Sequence, residues 1–265
     1  MTPTADWELV WSDEFDAPDG SGPNPDKWSY VTGGGGWGNA ERQVYTDRRQ
    51  NAAVEDSALL ICAQENDGGY RYTSARLRTQ DRGDWTYGRF EVRARLPYGQ
   101  GIWPAIWMLP SHTEYGGWPT SGEIDIMEML GQNPVRVYGT LHYGIPHTHS
   151  GDDYSLRTEE TFTDDYHVFA LEWEPGEIRW YVDGYHYQTQ TEWFTSKPDT
   201  PYPAPFDRPF HLILNVAVGG RWPGYPDETT KFPQCMAVDY VRVYQANQGD
   251  RGALGAAGDD MTGRF

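Results

Sequence analysis

Three carboxylates crowd into six residues of an otherwise apolar stretch: Glu123, Asp125 and Glu128 in GEIDIMEML (122–130). On a regular strand Glu123 and Asp125 share a face, but Glu128 points the opposite way. On a helix the five-residue offset between the two glutamates is also poor. A one-residue β-bulge at or near Met127 resolves the conflict. The three acids then line one face, while Ile124, Ile126 and Met129 fill the core on the other.

Two glutamates in a shared cleft suit acid/base and nucleophilic work on a glycosidic bond. With a rise of about 3.3 Å per residue, their Cα atoms begin roughly 13 Å apart. Long side chains on a concave sheet can close that gap toward the ~5–5.5 Å of retaining glycosidases. Glu123 would then attack the anomeric carbon, and Glu128 would protonate the leaving oxygen and later deprotonate water. Asp125 would hydrogen-bond Glu123 and help separate the acids in pKa. Two other readings are a solvated acidic strand face and a calcium cluster. The first fits poorly beside Ile, Met and Trp-rich segments, and the second lacks the ligand spacing and glycine of an EF-hand loop.

The elements around the acids read as strands. WELVWSDEF (7–15), SALLICAQE (57–65), YRYTSARLRT (70–79), YGRFEVRARLP (87–97), GIWPAIWMLP (101–110) and VRVYGTLHY (135–143) are candidates. So are HVFALEWE (167–174), EIRWYVDG (177–184), PFHLILNVAVG (209–219) and AVDYVRVYQ (237–245). In FEVRARL, Phe90, Val92, Ala94 and Leu96 alternate with Glu91, Arg93 and Arg95. Pro175–Gly176 marks a hairpin turn. With the carboxylate strand these make about eleven strands without interleaved helices, which predicts an all-β antiparallel sandwich or barrel. The 265 residues suit one domain, expected over 1–245, and the patternless 246–265 reads as a flexible linker or tail.

A formal charge of -18 argues against nucleic acid, an anionic membrane surface and an anionic polysaccharide, and favours a neutral substrate. No apolar run approaches a membrane span. The opening MTPTADWELVW lacks a signal peptide's regions, so a secreted enzyme would be present here in its mature form. Flat sugar faces stack on aromatic rings, which makes Trp103, Trp107, Trp118 and Trp222 candidate platforms.

At these residues the chain resembles the laminarinase-like branch of glycoside hydrolase family 16. The E-[ILV]-D-x-x-E strand of that family is matched from Glu123 to Glu128. The lichenase branch has one residue fewer and no bulge. WSDEFD, GRFEVRARLP, GIWPAIWMLP, GTLHYG, FALEWEPGEIRWYVDG, LILNVAVGG and DYVRVYQ are similar too, so the likeness runs over about residues 7–245 in order. It implies a β-jelly-roll sandwich of two antiparallel curved sheets with a concave substrate cleft. It also implies endo-1,3-β-glucanase activity on a β-glucan partner, with mixed-linkage β-1,3-1,4-glucan as a secondary substrate, by a monomer needing no cofactor for catalysis.

The resemblance carries further residues into the cleft: Asn39 with Glu41, although Arg42 and Val44 depart from the family pattern, and Arg76 in Ser-Ala-Arg-Leu. His142 is expected beside the acid/base, whereas His147 and His149 read as loop histidines. A structural calcium on the convex side is implied, held by the Asp239 carboxylate and main-chain oxygens of Glu14 and Ser57, the last replacing a common glycine. If Ser57 and Asp239 meet across antiparallel strands, Cys62 and Cys235 come close enough for a disulfide. Two other functions stay open on this fold. A glucan-recognition module would typically lack the glutamates, and a transglycosylase would favour the shorter, unbulged strand.

Overall fold

The computed structural model describes residues 6–157 and 159–247. In chain order the strands are β1 (Trp7–Asp13), β2 (Ser29–Tyr30), β3 (Val44–Tyr45), β4 (Ala52–Glu55), β5 (Ala58–Asp67) and β6 (Tyr70–Ser74). They continue with β7 (Arg76–Arg78), β8 (Asp84–Trp85), β9 (Gly88–Arg95), β10 (Ile102–Pro110), β11 (Glu123–Met129) and β12 (Arg136–Tyr143). The last six are β13 (Thr148–Ser155), β14 (His167–Glu174), β15 (Glu177–Val182), β16 (Tyr185–Gln190), β17 (Phe210–Val218) and β18 (Gln234–Ala246).

These strands form two sheets with almost wholly antiparallel pairing, the β-jelly-roll sandwich expected. One sheet runs β16-β15-β14-β9-β18-β5-β6-β3, with β1 on β18 and β4 on β5. The other runs β13-β12-β11-β10-β17-β7-β2, with β8 on β17. Period-two alternation supplies the core between them. Phe90, Val92 and Ala94 of β9 are fully buried, and so are Ile106 and Met108 of β10 and Leu212, Leu214 and Val216 of β17. The Pro175–Gly176 turn joins β14 to β15, and its glycine takes φ 82°.

Among the described residues eighteen strands replace the eleven expected. The additions are mostly short pairs such as β2, β3 and β8, which lack the length to show a period. Two longer ones, β13 (THSGDDYS) and β16 (YHYQTQ), are polar strands at sheet edges, where no apolar face is required. The expected tail is also corrected at its start, since Ala246 closes β18 opposite Trp7. Beyond Asn247 that segment lies outside the described residues.

Pairing of β5 with β18 sets Cys62 directly opposite Cys235, Cα atoms 4.1 Å apart, and the two are joined as a disulfide. This is the narrow spacing of a non-hydrogen-bonded antiparallel pair. The bond closes a loop spanning 173 residues on the sheet away from the carboxylates. Replacing both cysteines by serine is expected to lower stability by about 2–5 kcal/mol in urea titrations. The far-UV spectrum should be retained, and non-reducing mass mapping of the wild type should find no free thiol.

Candidate active site

Strand β11 bends where the acids require it. Against β12, Asp125 pairs with Thr140 and Glu128 with Tyr138, so Ile126 and Met127 together oppose the single residue Gly139. Against β10, Asp125 faces Trp107 and Met127 faces Ile106, which leaves Ile126 without a partner. The bulge is therefore at Ile126–Met127, as predicted, and both side chains are buried in the core. Beneath it, the fully buried Trp180 of β15 donates its Nε1–H to the Asp125 carbonyl at 2.8 Å. Room for that indole exists because residue 139 is glycine. A Cβ there would lie 2.5 Å from Trp180 Cδ1 and 2.5 Å from the Tyr187 hydroxyl.

Glu123, Asp125 and Glu128 consequently line one groove of about 1510 Å³ on the outer face of the second sheet. Each glutamate receives an indole N–H. Trp118 Nε1 donates to Glu123 at 2.6 Å, and Trp103 Nε1 donates to Glu128 at 3.0 Å. Burial pushes all three acids up. Glu123 is raised to about 8 by burial and then by the Asp125 charge, opposed by His142 and the Trp118 hydrogen bond. Asp125 is raised by burial, with a hydrogen bond to Glu123 working against the rise. Glu128 is raised well above the usual carboxylate range by burial and then by the charges of Asp125 and Glu123. Glu128 thus faces two like charges that hold its proton. The site separates its acids by environment.

The groove floor is graded in size. Ala105 stands opposite Glu128 between Trp103 and Trp107 on β10, and Ala217 opposite Trp103 on β17. These small side chains leave depth beneath the acids. Trp222 packs edge-on against Trp103 and Tyr138, at 5.5 and 5.0 Å between ring centroids, and walls the Glu128 side. Trp107 is fixed by a 2.7 Å hydrogen bond to Asn215. Arg76 lies between the rings of Trp37 and Trp107, 4.9 and 4.6 Å from their centroids. Glu41 accepts from Gln43 at 2.6 Å and from Asn39 at 3.3 Å, and its burial raises its pKa.

Every cleft residue expected from the sequence, namely Asn39, Glu41, Arg76, Trp103, Trp107, Trp118, His142 and Trp222, lines this groove. The position of His142 needs correction. It pairs with Glu123 across β11 and β12, and its Nε2 lies 3.2 Å from Asp125 Oδ2, so it sits beside the nucleophile's end while its charge also acts on Glu128 from farther off. The reason is register: the bulge shifts Glu128 onto Tyr138. The loop reading holds for His147, which lies in the turn just before β13, and is corrected for His149. His149 belongs to β13 opposite His142, His147 Nε2 sits 2.9 Å from His142 Nδ1, and both line the groove. Tyr138 and Asn215 were missed. Tyr138 alternates with Thr140 and His142 along β12, and Asn215 is a lone amide in an apolar strand, so both carried a signal.

The expected calcium ligands do not fit an ion as arranged. The Asp239 carboxylate is taken by Arg93 at 2.6 Å, and the Glu14 carboxylate by Arg242 at 2.8 Å. Ser57 occupies a turn at φ 58° two residues before Leu59, which pairs with Val238. A guanidinium already neutralises the one side-chain oxygen donor proposed for the ion, and calcium requires six to eight oxygens.

Paired glutamates on an aromatic-lined open groove of a jelly roll are the layout of a polysaccharide-cleaving glycosidase. The chain belongs to the glycosyl hydrolases family 16, whose profile matches residues 39–242. It is 51% identical over 250 residues to a β-glucanase of Rhodothermus marinus, covering 90% of this chain and 85% of that one. The laminarinase structure from Rhodothermus marinus superposes with a TM-score of 0.82 at 48% identity, over 92% of this chain and 99% of the other. The laminarinase catalytic domain from Thermotoga maritima gives 0.79 at 45% identity, over 92% and 100%.

Two expectations follow from the geometry. Gly139→Ala forces Trp180 or Tyr187 away from the bulge; it should cost about 1–3 kcal/mol in thermal or urea melts. It should also lower kcat more than it raises KM, because the acids move relative to one another. The raised Glu123 pKa gives a second expectation. Below pH 4.5 the group is protonated folded and unfolded, so it makes no difference. Between 4.5 and about 8 the folded state keeps a proton that the unfolded chain has lost, so stability falls as pH rises, levelling above 8. Glu123→Gln should therefore melt above the wild type at pH 8, with the difference vanishing toward pH 4.

Proposed function

We propose that the chain is an endo-acting retaining glucanase that cuts β-1,3-glucosidic bonds in laminarin-type glucans, with mixed-linkage β-1,3-1,4-glucan as a second substrate. The observation that carries this reading is the bulge, which brings Glu123 and Glu128 to one face of an open groove, each held by a tryptophan N–H. Glu123 attacks the anomeric carbon, and Glu128, whose protonated form is favoured by burial and by the charges of both other acids, protonates the leaving oxygen. Water then enters and gives its proton to Glu128, while the glucosyl–Glu123 bond breaks. Asp125 shares a proton with Glu123 and relieves like-charge repulsion as the nucleophile ionises. Because the acids titrate together, the limbs of a pH profile belong to the group.

A polyhydroxylated ligand also suits the groove's far end. Trp37 Nε1, Arg76 Nε, Arg78 Nε and His211 Nδ1 are buried there without hydrogen-bond partners. Burial and the two arginines lower the His211 pKa to about 3, so its ring stays neutral, able to donate from one nitrogen and accept at the other. Extracellular location and a monomeric state belong to the same reading. The Cys62–Cys235 bond supports the first, since structural disulfides persist in oxidising compartments. Calcium has no part in the mechanism.

Digestion of laminarin and barley β-glucan, with product size and anomeric configuration followed in time, tests the proposal. Mixed oligosaccharides released with retained configuration are expected, and Glu128→Gln should lose on the order of 10²–10⁴ in kcat. Inverted product, or a fully active Glu123→Ala, defeats the mechanism. Tight binding of both glucans without hydrolysis points to a recognition module instead.

A further inference from the structure

The Glu123 end of the groove holds more ligating atoms than double displacement uses. A carboxylate oxygen of Glu123, one of Asp125 and a ring nitrogen of His142 all lie within 4.8 Å of one another. Asp125 is only 2% exposed, and its Oδ2 has no hydrogen-bond partner. His142 Nε2 approaches that oxygen to 3.2 Å without forming a hydrogen bond. Among the described residues no lysine or arginine forms an ion pair with Glu123 or Asp125. The other nitrogen of His142, Nδ1, lies 2.9 Å from His147 Nε2, which fixes the ring with Nε2 turned toward the acids. On the nucleophile, Trp118 occupies only Oε2.

We propose that Glu123, Asp125 and Nε2 of His142 form a binding site for a divalent transition-metal ion of the zinc class, and that the bound ion excludes glucan from the nucleophile. Two carboxylates with one imidazole match zinc, which accepts mixed nitrogen and oxygen ligands in a tetrahedron, and not calcium, which selects oxygen alone. Metal–ligand bonds of about 2.0–2.2 Å place donor atoms about 3.3 Å apart, so the three must close by roughly an ångström or more. Glu123 is partly exposed to the groove and can supply that movement. The fourth position faces the groove and is left to water. Metal binding stands on its own geometry, whereas the competition with glucan rests on the glucanase reading above.

Calorimetric titration of the full chain with zinc chloride, in a buffer free of phosphate and chelators, tests the site. One ion per chain is expected, with affinity at least tenfold weaker in Asp125→Asn and in His142→Gln, both verified as folded by circular dichroism. With laminarin as substrate, zinc at ten times its dissociation constant should raise the apparent KM about elevenfold at unchanged kcat, reversed by EDTA. Absence of saturable binding overturns the proposal. So does binding that survives Asp125→Asn and His142→Gln but is lost in His147→Ala with His149→Ala, since the ion would then sit among the histidines alone. Zinc binding in a chain inactive on glucan defeats only the glucanase reading, and hydrolysis without zinc binding defeats only the metal site.

Discussion

An antiparallel strand in strict alternation cannot turn residues five apart toward the same side. The bulge at Ile126–Met127 removes that restriction, and the rest of the groove is arranged around it. Trp180 holds the Asp125 carbonyl from the core side, Gly139 makes room for the indole, and Gln188 secures the Gly139 carbonyl at 2.9 Å. These contacts come from strands of both sheets. The kink in β11 is thus fixed by the packing of the sandwich as well as by its own hydrogen bonds.

The same construction explains the electrostatics. Three carboxylates are held in a largely buried setting, and none forms an ion pair with lysine or arginine among the described residues. Burial alone would raise all three alike; what separates them is their neighbours. Both glutamates have an indole N–H and feel His142, but Glu123 meets the charge of Asp125, whereas Glu128 meets the charges of both other acids. The arrangement opposes stability at the pH where the groups are ionised, a tension expected where acids are kept for chemistry and not for structure. The corner formed by Glu123, Asp125 and His142 is electron-rich for the same reason.

The groove itself depends on gradation of side-chain size. Alanines at 105 and 217 set its depth, and tryptophans at 103, 107 and 222 form its walls. Two of these indoles, Trp103 and Trp107, have their N–H groups engaged by Glu128 and Asn215, so their rings are held in fixed orientation before any ligand arrives.

Much of this was legible in the chain itself. The parity conflict between Glu123 and Glu128 is a local property, since side-chain direction follows from residue count along a strand, and it located the bulge. Alternation in FEVRARL and the Pro175–Gly176 turn are likewise local. The polar edge strands β13 and β16 were not legible, because an edge open to water needs no apolar period. The neighbours of His142 depended on how the bulge displaces β12 by one residue, and the grouping of His147 and His149 with it depended on β13 pairing alongside. Arg93 reaches Asp239 across the β9–β18 pair, a contact between residues 146 apart. The sequence by itself determined the three acids that could do chemistry and which way each one points. Only the tertiary structure decided which charges and rings meet, because contact between distant segments is set by strand register and sheet packing.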